Sequence, residues 1–158
     1  MKKKIVIGII ALFIVVISSA ISYALNSNVL NEKHKPSDYK IGVTYAVAMS
    51  GQKPVITLFY VDWCGYCMRF MPKFKTIESI YKKDFNIMML NAEDPVNARL
   101  VGDVKLTGYP TVYIIDPKYN NRVYINNALY GDLGSFRKEI DRYLSIRKKL
   151  DSAERCAK

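Results

Sequence analysis

The chain has 158 residues, half of them hydrophobic, and carries 24 lysines and arginines against 14 aspartates and glutamates, a formal net charge of +10. Setting aside Lys2, Lys3 and Lys4 leaves 10 − 3 = +7, scattered along the chain with no basic run interleaved with aromatics, which argues against nucleic-acid binding. Three cysteines and a single histidine leave few ligands for a metal centre.

Lys2-Lys3-Lys4 precedes an apolar run from Ile5 to Ile17, followed by Ser18-Ser19-Ala20-Ile21-Ser22-Tyr23-Ala24. A positive start, an apolar centre and small residues describe an export signal, with Ser18-Ser19-Ala20 and Ser22-Tyr23-Ala24 as two cleavage sites. Left uncleaved, Ile5–Leu25 as a helix would span about 31 Å, enough for a bilayer core. Residues 1–25 are therefore a signal peptide or a signal-anchor helix. Either way the lysines stay cytoplasmic and the remainder is exported, periplasmic or otherwise extracytoplasmic. The positive charge also favours an anionic membrane surface. Residues 26–37 are polar and read as a linker, with His34 solvated within it.

Asp38 is expected to cap a helix reaching about Met49, with Ile41, Tyr45 and Ala48 or Met49 on one face. Ser50-Gly51-Gln52-Lys53-Pro54 breaks it. Val55–Val61 is a continuous apolar run of strand length, as in a central strand covered on both faces. A helix from Cys64 to about Lys82 follows, kinked at Pro72, with Phe70, Phe74, Ile77 and Tyr81 turned to the core. Phe85–Leu90 is a second buried strand in which Met88 and Met89 fill the core. Asp94-Pro95 opens a short helix through about Val101, with Gly102 near its end. Thr111–Ile115 is a third strand, Pro117–Asn121 a turn, and Arg122–Ile125 pairs back as a hairpin. Gly131-Asp132 leads into an amphipathic helix to about Leu150, with Phe136, Ile140, Tyr143 and Leu144 as its apolar stripe. The order is α-β-α-β-α-β-β-α in a single domain. Residues 151–158 form a polar tail, where Cys156 is a passive thiol on a frayed end or a site for an intermolecular disulfide or attachment.

The chemistry concentrates in Trp63-Cys64-Gly65-Tyr66-Cys67. Two cysteines three apart share one face of a helical turn. A cysteine at a helix N-terminus has its thiolate stabilised by unpaired backbone N–H groups and the helix dipole. That thiolate is the nucleophile of thiol–disulfide exchange, and the second cysteine is placed to attack the mixed disulfide. Two other readings are weaker. A structural zinc site needs four ligands, and only Cys156 and His34 remain, near the ends of the chain. A structural disulfide closing so short a loop removes little chain entropy.

The Val55–Val61 strand, Trp63-Cys64-Gly65-Tyr66-Cys67, Pro72, and Gly108-Tyr109-Pro110-Thr111 before a strand together resemble the thioredoxin superfamily over roughly residues 38–150. The resemblance implies a thioredoxin-like α/β fold: a central mixed β-sheet flanked by helices, preceded here by an N-terminal apolar helix. It implies that Pro110 is a cis-proline facing the cysteines, and that Tyr109 and Pro110 offer backbone to an extended substrate. Two departures stand out. Gly65-Tyr66 replaces the Gly-Pro of thioredoxins proper and is similar to the dipeptide of bacterial periplasmic disulfide isomerases. Leu58 stands where thioredoxins carry a buried, proton-transferring aspartate, and Met89 where its companion lysine falls; Asp62 is expected to point elsewhere.

The expectation is an exported thiol:disulfide oxidoreductase, reductase or isomerase, with no cofactor. Cys64 attacks, Cys67 resolves, and Trp63, Gly65, Tyr66, Tyr109 and Pro110 contact substrate, with Trp63 shielding the site. Its partners are disulfide-containing exported proteins and a membrane electron donor, with the membrane reached through the N-terminal helix. No basic residue lies inside the motif, so a moderately lowered Cys64 pKa and a reducing to intermediate potential are expected. The alternatives are a non-catalytic binding module on the same groove, or a soft-metal chaperone using the cysteine pair.

Overall fold

A computed structural model describes residues 2–29, 35–104 and 106–157. The chain divides into two compact units, Met1–His34 and Lys35–Lys158.

In the first unit a single helix, α1, runs Lys2–Val29, so it continues through the first residues expected to be linker. Leu12–Ile17 are exposed apolar side chains. The serines that follow satisfy themselves locally: the Ser18 hydroxyl donates to Val15 C=O at 2.9 Å and Ser19 to Val16 C=O at 2.8 Å. Among the described residues no helix is long and apolar enough to cross a membrane. His34 lies outside the described residues.

The second unit is built on four strands in the order β2-β1-β3-β4. Strand β1, Val55–Tyr60, is buried at every position, as its unbroken apolar run predicts for a central strand. It pairs in parallel with β2, Asn86–Asn91, and antiparallel with β3, Thr111–Asp116. Strand β4, Asn121–Ile125, pairs antiparallel with β3 as the expected hairpin. Alternation divides β1 between two cores. Ile56 and Leu58 pack with Phe70, Phe74 and Ile77 of helix α3 (Gly65–Tyr81) and Phe136 and Ile140 of helix α5 (Leu133–Cys156). Val55 and Phe59 pack with Ala48 of helix α2 (Tyr45–Met49) and Leu100 and Val104 of helix α4 (Ala98–Val104). Met88 of β2 fills this second core, while Met89 is only partly buried. Helix α3 carries Pro72 in its interior and continues to Tyr81.

Four expected boundaries are corrected. The helix from Asp38 to Met49 is instead a 3-10 turn at Pro36–Asp38, a non-helical stretch, and the five-residue α2. Gly42 is the reason: its φ of +78° is disfavoured for other residues, and a Cβ there would lie 2.2 Å from the Ile87 carbonyl oxygen. Val43 N–H donates to that same carbonyl at 2.8 Å, so the chain runs against β2 rather than coiling. Helix α4 ends at Val104, not Val101, and Gly102 lies inside it with open space where a Cβ would stand. Strand β3 takes in one more residue, Asp116.

The fourth correction is the largest. Helix α5 runs to Cys156, through most of the supposed polar tail. Asp151 holds it there, accepting from Lys118 Nζ at 2.6 Å and Tyr119 Oη at 2.9 Å and pairing with Arg147 at 2.5 Å. Arg147 also donates through Nε to the fully buried carboxylate of Asp116 at 2.7 Å. The end of α5 is thus tied to the β3–β4 turn by charges that turn-and-tail composition does not reveal.

Candidate active site

Strand β1 ends at Tyr60 and delivers the chain through Val61, Asp62 and Trp63 to the start of α3. Cys64 is the N-cap of α3, and its Sγ accepts from the Cys67 backbone N–H at 3.0 Å. A sulfur thus occupies the place where a cap oxygen normally satisfies one of the orphan donors of the first turn. Cys64 and Cys67 form a disulfide with Cα atoms 5.2 Å apart. Cys64 is 5% exposed and Cys67 fully buried, so Cys64 is the residue of the pair that reaches solvent. Around them pack Tyr60, Val61, Met89, Ala92 and Tyr109. Burial, aided by Asp62 and Asp94, pushes the Tyr60 hydroxyl pKa above its ordinary value and keeps it neutral.

The Tyr109–Pro110 peptide bond is cis, as the resemblance implies. Thr111 supports this turn by donating from its hydroxyl to the Gly108 carbonyl at 2.7 Å. Tyr109 meets Trp63 edge to face, ring centres 6.4 Å apart. Trp63 is 72% exposed, and its indole N–H donates to Glu93 Oε1 at 2.8 Å. It stands beside the cysteines as an open wall rather than a cover. Tyr66 is equally exposed, with the Arg69 guanidinium 4.5 Å from its ring centre. Leu58 is fully buried and lies directly opposite Met89 in the β1–β2 register, so the pair of positions expected to be apolar is apolar and adjacent. Asp62 points away, accepting from the Ser37 N–H and hydroxyl at 3.1 and 3.0 Å.

A groove of about 520 Å³ opens beside the motif, lined by Tyr66, Arg69, Tyr109, Pro110, Tyr124 and Tyr130 among others. Its floor is held by Tyr130, whose hydroxyl accepts from Val112 N–H at 2.7 Å and donates to Ile125 C=O at 3.0 Å. Val112 and Ile125 are register partners, so a phenol stands within the β3–β4 ladder. Burial raises the Tyr130 pKa far above its ordinary value. Its ring stacks on Phe70 at 4.9 Å. Lys73 bridges α3 to the same loop, donating to the carbonyls of Tyr130 and Gly131 at 3.1 and 2.6 Å.

The structure thus gathers Trp63, Cys64, Gly65, Tyr66, Cys67, Tyr109 and Pro110 at one end of the sheet. Sequence reasoning missed Arg69, Lys73, Tyr124 and Tyr130 as groove residues and Glu93 as the partner of Trp63. Arg69 was within reach of it, three residues past Tyr66 on the same helix face. Tyr124, Tyr130 and Glu93 arrive through tertiary placement and leave no local signal. Among the described residues no group of three histidines, cysteines, aspartates or glutamates gathers as a metal site.

Comparison with known proteins agrees with this geometry. Over 70 residues the chain is 31% identical to a protein disulfide-isomerase of Schizosaccharomyces pombe, covering 42% of this chain and 18% of that one. Over 76 residues it is 32% identical to the chloroplastic thioredoxin-like protein HCF164 of Arabidopsis thaliana, covering 48% and 29%. The chain therefore spans less than a third of the length of either relative. Among solved structures, the Trx4 domain of ERdj5 superposes with a TM-score of 0.53 at 20% identity, covering 66% of this chain and 94% of that domain, a likeness of fold. The thioredoxin family profile matches residues 39–137, and the chain belongs to the thioredoxin family, with its Cys64–Cys67 pair in the CxxC position.

Proposed function

We propose that this chain is an exported thiol:disulfide oxidoreductase that works as a reductase or isomerase on disulfide-containing exported proteins. The observation that carries the reading is Cys64 at the N-cap of α3, its Sγ accepting a backbone N–H and the residue more exposed than Cys67. In the reduced protein those donors and the helix dipole stabilise a Cys64 thiolate. The thiolate attacks one sulfur of a substrate disulfide. A Cys64–substrate disulfide forms and the second substrate sulfur leaves as a thiolate. Cys67, deprotonated, then attacks Cys64 Sγ, and the remaining substrate sulfur leaves. Two electrons pass to substrate and the Cys64–Cys67 disulfide remains. An external dithiol, in our reading a membrane-bound donor, resets it.

Trp63, Gly65, Tyr66, Tyr109 and Pro110 are the substrate-contacting residues in this scheme, and the groove beside them takes the substrate chain. Leu58 and Met89 leave no acid or lysine at their positions to accept the Cys67 proton, so water or the departing substrate thiolate takes it. With no basic residue between the cysteines, the potential falls toward the reducing side of the range from about −270 to −120 mV spanned by thioredoxin and the strong periplasmic oxidant. The lysine-led apolar start of the chain supports export. Cys67→Ser tests the core of this reading: it accumulates mixed disulfides with substrates, while Cys64→Ser does not. Equal trapping by both variants overturns it.

A further inference from the structure

The groove beside the cysteines is unbalanced in charge. Its lining holds Arg69 and Lys73 and no aspartate or glutamate. The two cations differ in freedom. Lys73 is committed to the carbonyls of Tyr130 and Gly131, and it lies near the carboxylate of Asp132, which caps α5. Arg69 is exposed, and among the described residues no carboxylate pairs with it. Its guanidinium rests over Tyr66, the residue just before Cys67. Asp62 and Glu93, whose carboxylates accept from Ser37 and from the Trp63 indole, lie outside the groove's lining. On the opposite side of the groove, the main chain of Tyr109 makes no hydrogen bond among the described residues. Its N–H and C=O are available to an extended peptide.

A guanidinium steadied on an aromatic face keeps its planar fork of donors, which matches a carboxylate in a bidentate way. We infer that the groove selects disulfides flanked by acidic residues, Arg69 being the specificity determinant; this rests on the oxidoreductase reading above. The peptide lies across Tyr109 and Pro110 with its cysteine at Cys64 and a neighbouring carboxylate on Arg69. The covalent step is the exchange already described. The formal charge of +7 that remains without Lys2, Lys3 and Lys4 (10 − 3) draws such acidic segments from a distance.

The test uses the full-length reduced chain in neutral detergent and peptides cyclised by one disulfide. The peptides differ only in Glu, Gln or Lys beside the attacked cysteine, and each single turnover is followed. The expected order is Glu, then Gln, then Lys, with about a tenfold spread at low salt, since attraction and repulsion at an exposed arginine each supply a severalfold effect. At 1 M salt, where screening acts within about 3 Å, the spread shrinks toward one. Arg69→Gln removes most of the spread and Arg69→Glu reverses its order. A spread that survives Arg69→Gln, or a preference for the Lys peptide, overturns the inference. Equal attack on all three peptides overturns it while leaving the oxidoreductase reading standing. No attack on any peptide, the neutral one included, overturns both.

Discussion

Removing a single hydroxyl, by Tyr130→Phe, tests the most unusual joint in the sheet. The hydroxyl is buried and serves two backbone groups, Val112 N–H and Ile125 C=O, that are themselves register partners. Its loss orphans one buried donor and one buried acceptor, each costing about 1–3 kcal/mol if nothing replaces it. The orphans face one another, so the strands can close and recover one direct bond, worth about 1 kcal/mol. The aromatic ring stays, and with it the stacking on Phe70 and the edge contact with Phe136. The expected net loss is about 2 kcal/mol, which for a domain of this size lowers Tm by about 8 °C. Urea unfolding followed by far-UV circular dichroism, together with a thermal melt, measures it. A loss below about 0.5 kcal/mol would show that the ladder closes without the phenol and refute the argument.

Arg147→Ala strips the main cation from the fully buried Asp116 carboxylate, leaving the Tyr143 hydroxyl and Lys118 N–H as its donors. The expected cost is about 3 kcal/mol, the low end for breaking a buried pair. Arg142→Ala, at an exposed pair with Glu139, should cost about 0.5 kcal/mol or less in the same urea assay. Gly42→Ala forces a Cβ toward the Ile87 carbonyl at a positive φ and should cost more than about 2 kcal/mol, read as a fall in the urea midpoint. Asp151 has its pKa lowered chiefly by the Lys118 ammonium and then by the Tyr119 hydroxyl. A depressed carboxylate stabilises the fold above its unfolded pKa of about 4, and that stability is lost as pH falls through the folded value. Stability measured from pH 6 down to pH 3 should therefore fall more steeply for the unaltered chain than for Asp151→Asn.

The parts of this molecule visible in its sequence are those governed by local rules. The unbroken run Val55–Val61 reads as a covered strand, and Cys64-Gly65-Tyr66-Cys67 after it reads as a helix start with sulfur at its cap. Phe70, Phe74, Ile77 and Tyr81 kept helical spacing and all reached the core. The misreadings occurred where a distant partner decides. Gly42 looks like a tolerable glycine in a helical pattern until Ile87 is brought against it. Residues 151–156 look like a solvated tail until Lys118 and Tyr119 arrive on a turn more than thirty residues earlier. Tyr130 is one of 12 tyrosines, and nothing near it in sequence marks it as part of a strand ladder.

Cys156 ends α5 as an exposed thiol, while the other two cysteines are joined to each other. In the oxidised protein, then, a maleimide finds a single target; after reduction it finds up to three. Label stoichiometry becomes a direct count of the redox state of the pair, with an internal reference site built into every molecule. A spin or fluorescent probe on Cys156 would at the same time report on α5 without touching the groove, provided the pair is kept closed during labelling.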